Sequence, residues 1–468
     1  MKKFRIIAML LALSMLIVLA ACSQNDTKGA SQSGKTDSTG TASQTETTDS
    51  KQDTAAESDW TKEKITINFI HGHSEEAEKT ILTSTAFREM INIYKQKYPN
   101  VTINETRNAT DYNDNILKLA AAENLPDVFS FLYSQYDTIV GGGQVHDITD
   151  YVNPDLYIDK LAGCTYTDGR IYGLNMKFTD YNIVYYNDKM LKEAGLSEFP
   201  KSLDELLALD KYFDAKGIDL ISLGNKGQWF AMNHFLNPIV YEVCGAEWAE
   251  SMINNEGKYK YTDEKFIEAL RYVQKLAPVF NSDYNSQDDV WAVGWYCQGN
   301  SFCHVSGSWA TNTILLYQDE NPEVVENTKA AIWPSISGKE EDTYIVYAST
   351  ETYGINKKID KNSPKFQACL ELIKQLASTD YAEFCAKRGS TAPIAVETDI
   401  ESLHPLLQDF MSVHNYGYPK ARAFFTYLNN NVNTRMRANL QSLLAGTMTP
   451  EQMAADLQKA QEEYMATK

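Results

Sequence analysis

The chain has 468 residues, 43% of them hydrophobic, and a formal net charge of −19. This composition describes a globular body and excludes nucleic acid as a partner, since phosphate binding needs a positive footprint. It also excludes a surface that adheres to anionic lipid, and leaves solubility as the plain meaning of the acidity. At the start of the chain, residues 1–5 carry Lys2, Lys3 and Arg5, and residues 6–19 are almost wholly apolar. That run is shorter than the roughly 20 residues of a membrane span. A charged start, a short apolar run and small residues after it predict a secretory signal peptide over 1–21.

Leu19-Ala20-Ala21-Cys22 resembles the lipobox of bacterial lipoproteins, which implies an acylated Cys22 at the head of the exported chain. Residues 23–58 hold no aromatic residue and no Ile, Leu, Val or Met. Such a segment cannot bury enough apolar surface to offset the entropy of ordering, so 22–59 is expected to be a lipidated, flexible tether. No second long apolar run follows, so no transmembrane helix is expected.

The body opens with Ile65, Ile67 and Phe69 alternating with Thr66 and Asn68, a strand pattern. Residues 84–98 place Phe87, Met90, Ile91 and Tyr94 at helical spacing, and Pro99 ends that helix. Val101-Thr102-Ile103 reads as a second strand, 111–123 as a helix and 127–132 as a third strand. This alternation predicts right-handed crossovers and a largely parallel sheet. Further on, Ser202 and Glu205 form a capping box ahead of Leu206-Leu207, and Phe266, Ile267, Leu270 and Val273 share a helical face. Thr449, Pro450 and Gln452 open a terminal helix over 450–467. A body running from residue 60 to 468 suits two α/β lobes better than one core. Beyond Cys22 there are six cysteines: Cys164, Cys244, Cys297, Cys303, Cys369 and Cys385. They form no Cys-x-x-Cys motif and no zinc spacing, so buried thiols or one or two bridges are expected, and no metal.

Residues 168–205 are the most specific passage. Asp168-Gly169-Arg170-Ile171-Tyr172-Gly173-Leu174 is followed by Val184-Tyr185-Tyr186-Asn187-Asp188, then Ala194-Gly195-Leu196 and Pro200-Lys201-Ser202-Leu203-Asp204-Glu205. Together with Leu125-Pro126-Asp127-Val128, the stretch 299–309 ending in Gly307-Ser308-Trp309, and 443–451, this resembles the family 1 extracellular solute-binding proteins of ABC importers. That group includes maltose- and other oligosaccharide-binding proteins. Asn175, Cys303-His304 and Leu203 depart from its usual residues. The resemblance implies an α/β, periplasmic-binding-protein-like (type II) bilobal clamp with a multi-strand hinge. Lobe 1 is expected over 60–176 plus 334–378, and lobe 2 over 177–333 plus 379–468.

Ligands of open α/β sheets bind beyond the carboxyl ends of strands. His71 and His73 follow the first strand, and Phe131, Tyr133 and Ser134 end the third. The resemblance implies polar and aromatic ligand contacts at these places, and a carboxylate near Asp180, whose charge Lys177 or a polar ligand must compensate. Trp309 and Trp229 are the aromatic candidates, because a flat ring covers the apolar C–H face of a sugar. Trp291, Trp295, Phe425 and Tyr427 are weaker ones. The expected function is a lipid-anchored, extracytoplasmic receptor on a cell membrane of Gram-positive type. It would act as a monomer without a cofactor or catalytic residues, passing a carbohydrate to an ABC permease. Two alternatives stand beside it: the same role for a non-sugar solute, and a surface glycosidase, which would need two carboxylates about 5–10 Å apart. Neither G-x-S-x-G, H-E-x-x-H nor a P-loop is present.

Overall fold

The computed structural model describes residues 59–108 and 110–467; the expected signal peptide, Cys22 and nearly all of the tether lie outside the described residues. Ten strands are β1 (Ile65–His71), β2 (Val101–Arg107), β3 (Val128–Phe131), β4 (Leu174–Asp180), β5 (Ile183–Asn187), β6 (Asp219–Ser222), β7 (Ser301–Ser306), β8 (Thr328–Ile332), β9 (Ile345–Ile355) and β10 (Lys420–Arg422). They form two sheets. The first has the order β10-β9-β3-β1-β2 with β4 also paired to β9, and the second has the order β6-β7-β5-β8.

β1 runs parallel to β2 and to β3, as the strand–helix alternation predicts. Helices Leu82–Lys97 and Tyr112–Ala121 make the crossovers. Phe87, Met90, Ile91 and Tyr94 share a core with Ile65, Ile67 and Phe69 of β1. On the opposite face, Ile70, Phe129 and Phe131 pack with Ile116 and Ile139. The second sheet is also covered on both faces, by Val184, Tyr186 and Phe302 on one and Ile183, Tyr185, Val293 and Phe410 on the other. A sheet buried on both faces reads as an unbroken apolar run rather than an alternation. Parallel pairing is confined to part of each sheet: β9 is antiparallel to β3 and β4, and β5 to β7 and β8. The Ser202–Glu205 capping box heads helix Leu203–Ala208, and the Thr449–Gln452 box heads helix Pro450–Met465.

β4 and β9 form a long ribbon that passes from one core to the other. Along β9, Val346 and Ala348 belong to the core of the second sheet, while Tyr353 and Ile355 belong to that of the first. Between them sits Glu351, with a φ of +63°. A non-glycine residue held there costs about 1–3 kcal/mol, and such strain collects at functional places.

Among the described residues the six cysteines are free, five of them buried and Cys244 half-buried. Among the same residues no helix is long and apolar enough to cross a membrane.

Candidate functional site

Where the ribbon leaves the first core, two adjoining cavities open. One of about 460 Å³ is lined by Gly72, His73, Ser84, Ser130, Phe131 and Glu351, among others. The other, of about 360 Å³, is lined by Phe178, Asp289, Val290, Trp309, Asn312 and Leu316, among others. Ile81, Thr83 and Lys177 belong to both, so the cavities form one cleft. The first half rests on the carboxyl ends of the parallel strands β1 and β3, where the topology of such sheets places ligands.

In that half, His73 leaves β1 through Gly72 and stacks on Phe87, with ring centroids 4.1 Å apart. Its Nε2–H donates to Glu351 Oε1 at 2.6 Å, and its Nδ1 lies 2.8 Å from Ser84 Oγ. Lys177 Nζ contacts Glu351 Oε2 at 2.6 Å, and the Tyr353 hydroxyl donates to Oε1 at 2.5 Å. Burial alone would raise the Glu351 carboxyl. The hydrogen bonds and field of the neighbouring His73 and Lys177 side chains overcome burial and hold it well below the usual carboxylate range. Three of the roughly four acceptor positions of Glu351 are thus occupied.

In the other half, Trp309 opens the helix Trp309–Leu315 just after β7. A Cβ at Gly307 would lie 1.9 Å from its ring, so only glycine lets the indole fold back there. The indole N–H donates to Asp289 Oδ2 at 3.2 Å. Asp289 begins the helix Asp289–Cys297, capped by the Asp288 side chain. Burial pushes its carboxyl from 3.8 up to about 6, against the lowering effect of the indole. Beneath it, His304 Nε2 lies 3.7 Å from Asp289 Oδ1, and burial lowers that imidazole to about 4. Around Trp309, the rings of Tyr181, His234 and Trp229 have centroids 5.7, 5.7 and 5.9 Å away. Trp229 follows Gln228, a residue with a φ of +63°.

Of the residues singled out from sequence, His73, Phe131 and Trp309 line the cleft, and Trp229 backs Trp309 without lining either cavity. Three expectations are displaced. His71 is fully buried in the core against Phe69 and Phe87, with Nε2 3.4 Å from Glu105, because strand alternation turns it toward the helix. Asp180 is fully buried outside both cavities, and its Oδ2 contacts His414 Nδ1 at 2.6 Å. Its compensating group is thus His414, not Lys177. Tyr133 and Ser134 line a separate cavity of about 30 Å³ with Tyr427 and Tyr464, where the Tyr133 and Tyr427 rings meet at 5.0 Å.

Sequence reasoning did not single out Asp289, Asn312 or Glu351. The helix-start pair Asp288-Asp289 was the available signal for the first. For Glu351 it was an acid inside the β-prone run 345–355.

Two α/β lobes, a strand ribbon crossing between their cores and a cleft where it crosses define a solute-binding clamp. The chain belongs to the bacterial extracellular solute-binding protein family, whose pattern it matches over residues 89–401. It is 23% identical over 235 residues to an uncharacterized ABC transporter extracellular-binding protein of Pyrococcus horikoshii, covering 48% of this chain and 52% of that protein. A second such protein of the same organism is 22% identical over 234 residues, covering 49% and 54%. The chain thus spans about half the length of the curated relatives it matches. Among solved structures, a chitin oligosaccharide binding protein superposes with a TM-score of 0.74 at 21% identity, covering 86% of this chain and 99% of that one. A sugar transporter from Bacillus licheniformis, in complex with stachyose, gives a TM-score of 0.61 at 17% identity, covering 86% and 100%. At these identities the likeness is one of fold.

Proposed function

We propose that this chain is the extracytoplasmic receptor of an ABC importer, closing on an oligosaccharide and delivering it to a membrane permease. The observation that carries the reading is the cleft at the β4–β9 crossing. It sets the flat ring of Trp309 beside polar side chains from the opposite wall, which is what a sugar's apolar face and hydroxyl girdle require. The ABC-transporter relatives and the oligosaccharide-binding neighbours support it. A ribbon joining two packed lobes is suited to hinge closure.

Packing favours moving two of the expected lobe boundaries. Residues 334–344 lie with the second sheet, where Ile336 N–H donates to Glu242 at 2.7 Å. Helix Thr379–Ala386 buries Tyr381 and Cys385 in the first core. With Ala392, Ile394 and Val396 also packed on the first core, the assignment that follows is 59–176 plus 351–396 for lobe 1 and 177–350 plus 397–467 for lobe 2. An acylated Cys22 and a tether over 23–59 would hold this monomeric receptor beside its permease on a Gram-positive surface. Two acyl chains make such an anchor stable, each buried CH2 contributing about 0.8 kcal/mol.

A glycosidase reading is weaker, because Glu351 is tied to His73, Lys177 and Tyr353, three partners that hold its carboxylate away from attack on a sugar. Calorimetry of the purified protein against saccharides, polyamines and phosphodiesters tests the proposal. A saccharide should bind at micromolar level or better, raise the melting temperature by mass action and be recovered intact. Binding of a non-sugar alone, or turnover of the bound saccharide, overturns it. Trp309→Ala should lower saccharide affinity about a hundredfold while the protein stays folded; unchanged affinity would remove Trp309 from the site.

A further inference from the structure

The two halves of the cleft differ in chemistry. Around His73 and Glu351 the wall carries charged groups, whereas around Trp309 exposed aliphatic side chains stand among hydroxyl and amide groups such as Thr313, Ser390 and Asn312. Large apolar side chains left open to water usually mark a binding surface when they gather in one place. Three do so here: Ile81 is 51% exposed, Val290 72% and Leu316 65%, and all line the cavity beside Trp309. Ile81 comes from the first lobe, and Val290 and Leu316 from the second.

An unsubstituted pyranose shows C–H groups only on its flat ring faces, one of which Trp309 can cover. Its remaining edge is hydroxyl, which three further aliphatic groups would strip of water without offering a hydrogen bond. Among the polar residues of this cavity, Asp289 adjoins the exposed Val290 in sequence, Asn312 stands one helical turn before Leu316, and both match an amide. Asp289 uses one acceptor position on the Trp309 indole and keeps others of the roughly four that a carboxylate has. Asn312 lines the cavity with a side-chain amide that has no hydrogen bond among the described residues. A group that fills this set has a methyl for the aliphatics, an N–H for a carboxylate and a carbonyl for an amide N–H.

We propose that the cavity beside Trp309 is an acetamido subsite, so that the preferred ligands are oligosaccharides bearing N-acetylated amino sugars. The pyranose ring lies on Trp309, the acetamido N–H donates to Asp289, and its carbonyl accepts from Asn312. The methyl is enclosed by Val290, Val293 and Leu316 as Ile81 approaches from the other lobe. The inference rests on the oligosaccharide reading above.

Titration calorimetry with matched pairs that differ only in this substituent tests it: N,N′-diacetylchitobiose against cellobiose, and N-acetyllactosamine against lactose. The acetylated member of a pair should bind about tenfold tighter or more. Chitobiose lacking the acetyl groups should bind no better than cellobiose. Equal or tighter binding of the unsubstituted sugars overturns the subsite, and so does tighter binding of the deacetylated amine, which would make Asp289 an ammonium site. If raffinose or stachyose binds and no acetylated sugar does, the subsite falls while the receptor reading stands. If no saccharide binds, both fall. Val290→Ser and Leu316→Ser, at positions exposed enough to leave the fold intact, should shrink the preference for the acetylated member. Equal weakening of both members would instead mark the aliphatics as a closure seam and overturn the proposal.

Discussion

Replacing Asp289 with Asn should stabilise the ligand-free protein at neutral pH. In the folded state the carboxyl titrates near 6 rather than 3.8, because burial against the Trp309 and His304 rings disfavours its charge. That difference corresponds to about 3 kcal/mol of preference for the neutral form. The start of the helix Asp289–Cys297 returns about 0.3–1 kcal/mol by favouring a negative charge there, leaving about 2 kcal/mol. A group whose folded-state pKa is raised contributes its stability in full below the unfolded value, and that contribution is lost as pH rises through the folded one. The wild-type protein therefore carries the whole penalty above pH 6 and little of it near pH 4. Asparagine avoids the penalty. Its carbonyl can accept from the Trp309 indole, and its amide can turn to the bare Nε2 of His304, 3.7 Å from the present carboxylate oxygen. At about 2.1 cal/mol/K per residue, a body of about 400 residues gains roughly 2 °C in melting temperature from 2 kcal/mol. Calorimetric melting of both proteins at pH 7.5 and 4.5 should show the gain at the first pH and less than half of it at the second. A variant less stable at pH 7.5, or a gain independent of pH, refutes the electrostatic reasoning.

Other expectations follow from single contacts. Gly307→Ala drives a Cβ to within 1.9 Å of the Trp309 ring, so saccharide affinity measured by calorimetry should fall about as far as in Trp309→Ala, with Trp309 itself intact. His414→Ala leaves the fully buried Asp180 without its partner. It should cost about 3 kcal/mol in urea unfolding, yet leave saccharide affinity within about twofold; a large affinity loss would return Asp180 to the site. Cys22→Ser should release the protein from cells into the medium while it still binds ligand, and retention in the membrane fraction would contradict the anchor.

The architecture was largely legible because its signals are local. Alternation marked β1, spacing of Phe87, Met90, Ile91 and Tyr94 marked the first crossover helix, and the two capping boxes marked helix starts. Trp309 was legible because it sits in an ordered motif directly after a strand. The rest of the site depends on encounters between distant parts of the chain. Asp180 and His414 are far apart in sequence, as are His73 and Glu351. His71 and His73 look alike as letters, and two residues of strand geometry put one in the core and the other at the cleft. Asp289 gives no sign of its raised pKa, which arises from the burial created by Trp309 and β7 folding over it.

The division of the cleft between two lobes has a consequence for how binding preference can change over time. Asp289, Val290, Val293, Trp309, Asn312 and Leu316 of the half beside Trp309 come from the second lobe, and Gly72, His73, Ser84, Ser130, Phe131 and Glu351 of the other half come from the first. Because most residues of each wall rest on elements of a single lobe, a substitution in one wall need not disturb the packing behind its counterpart. Each wall is then free to drift, duplicate or be exchanged as a unit, and a receptor for one compound can become a receptor for another by altering half of its grip.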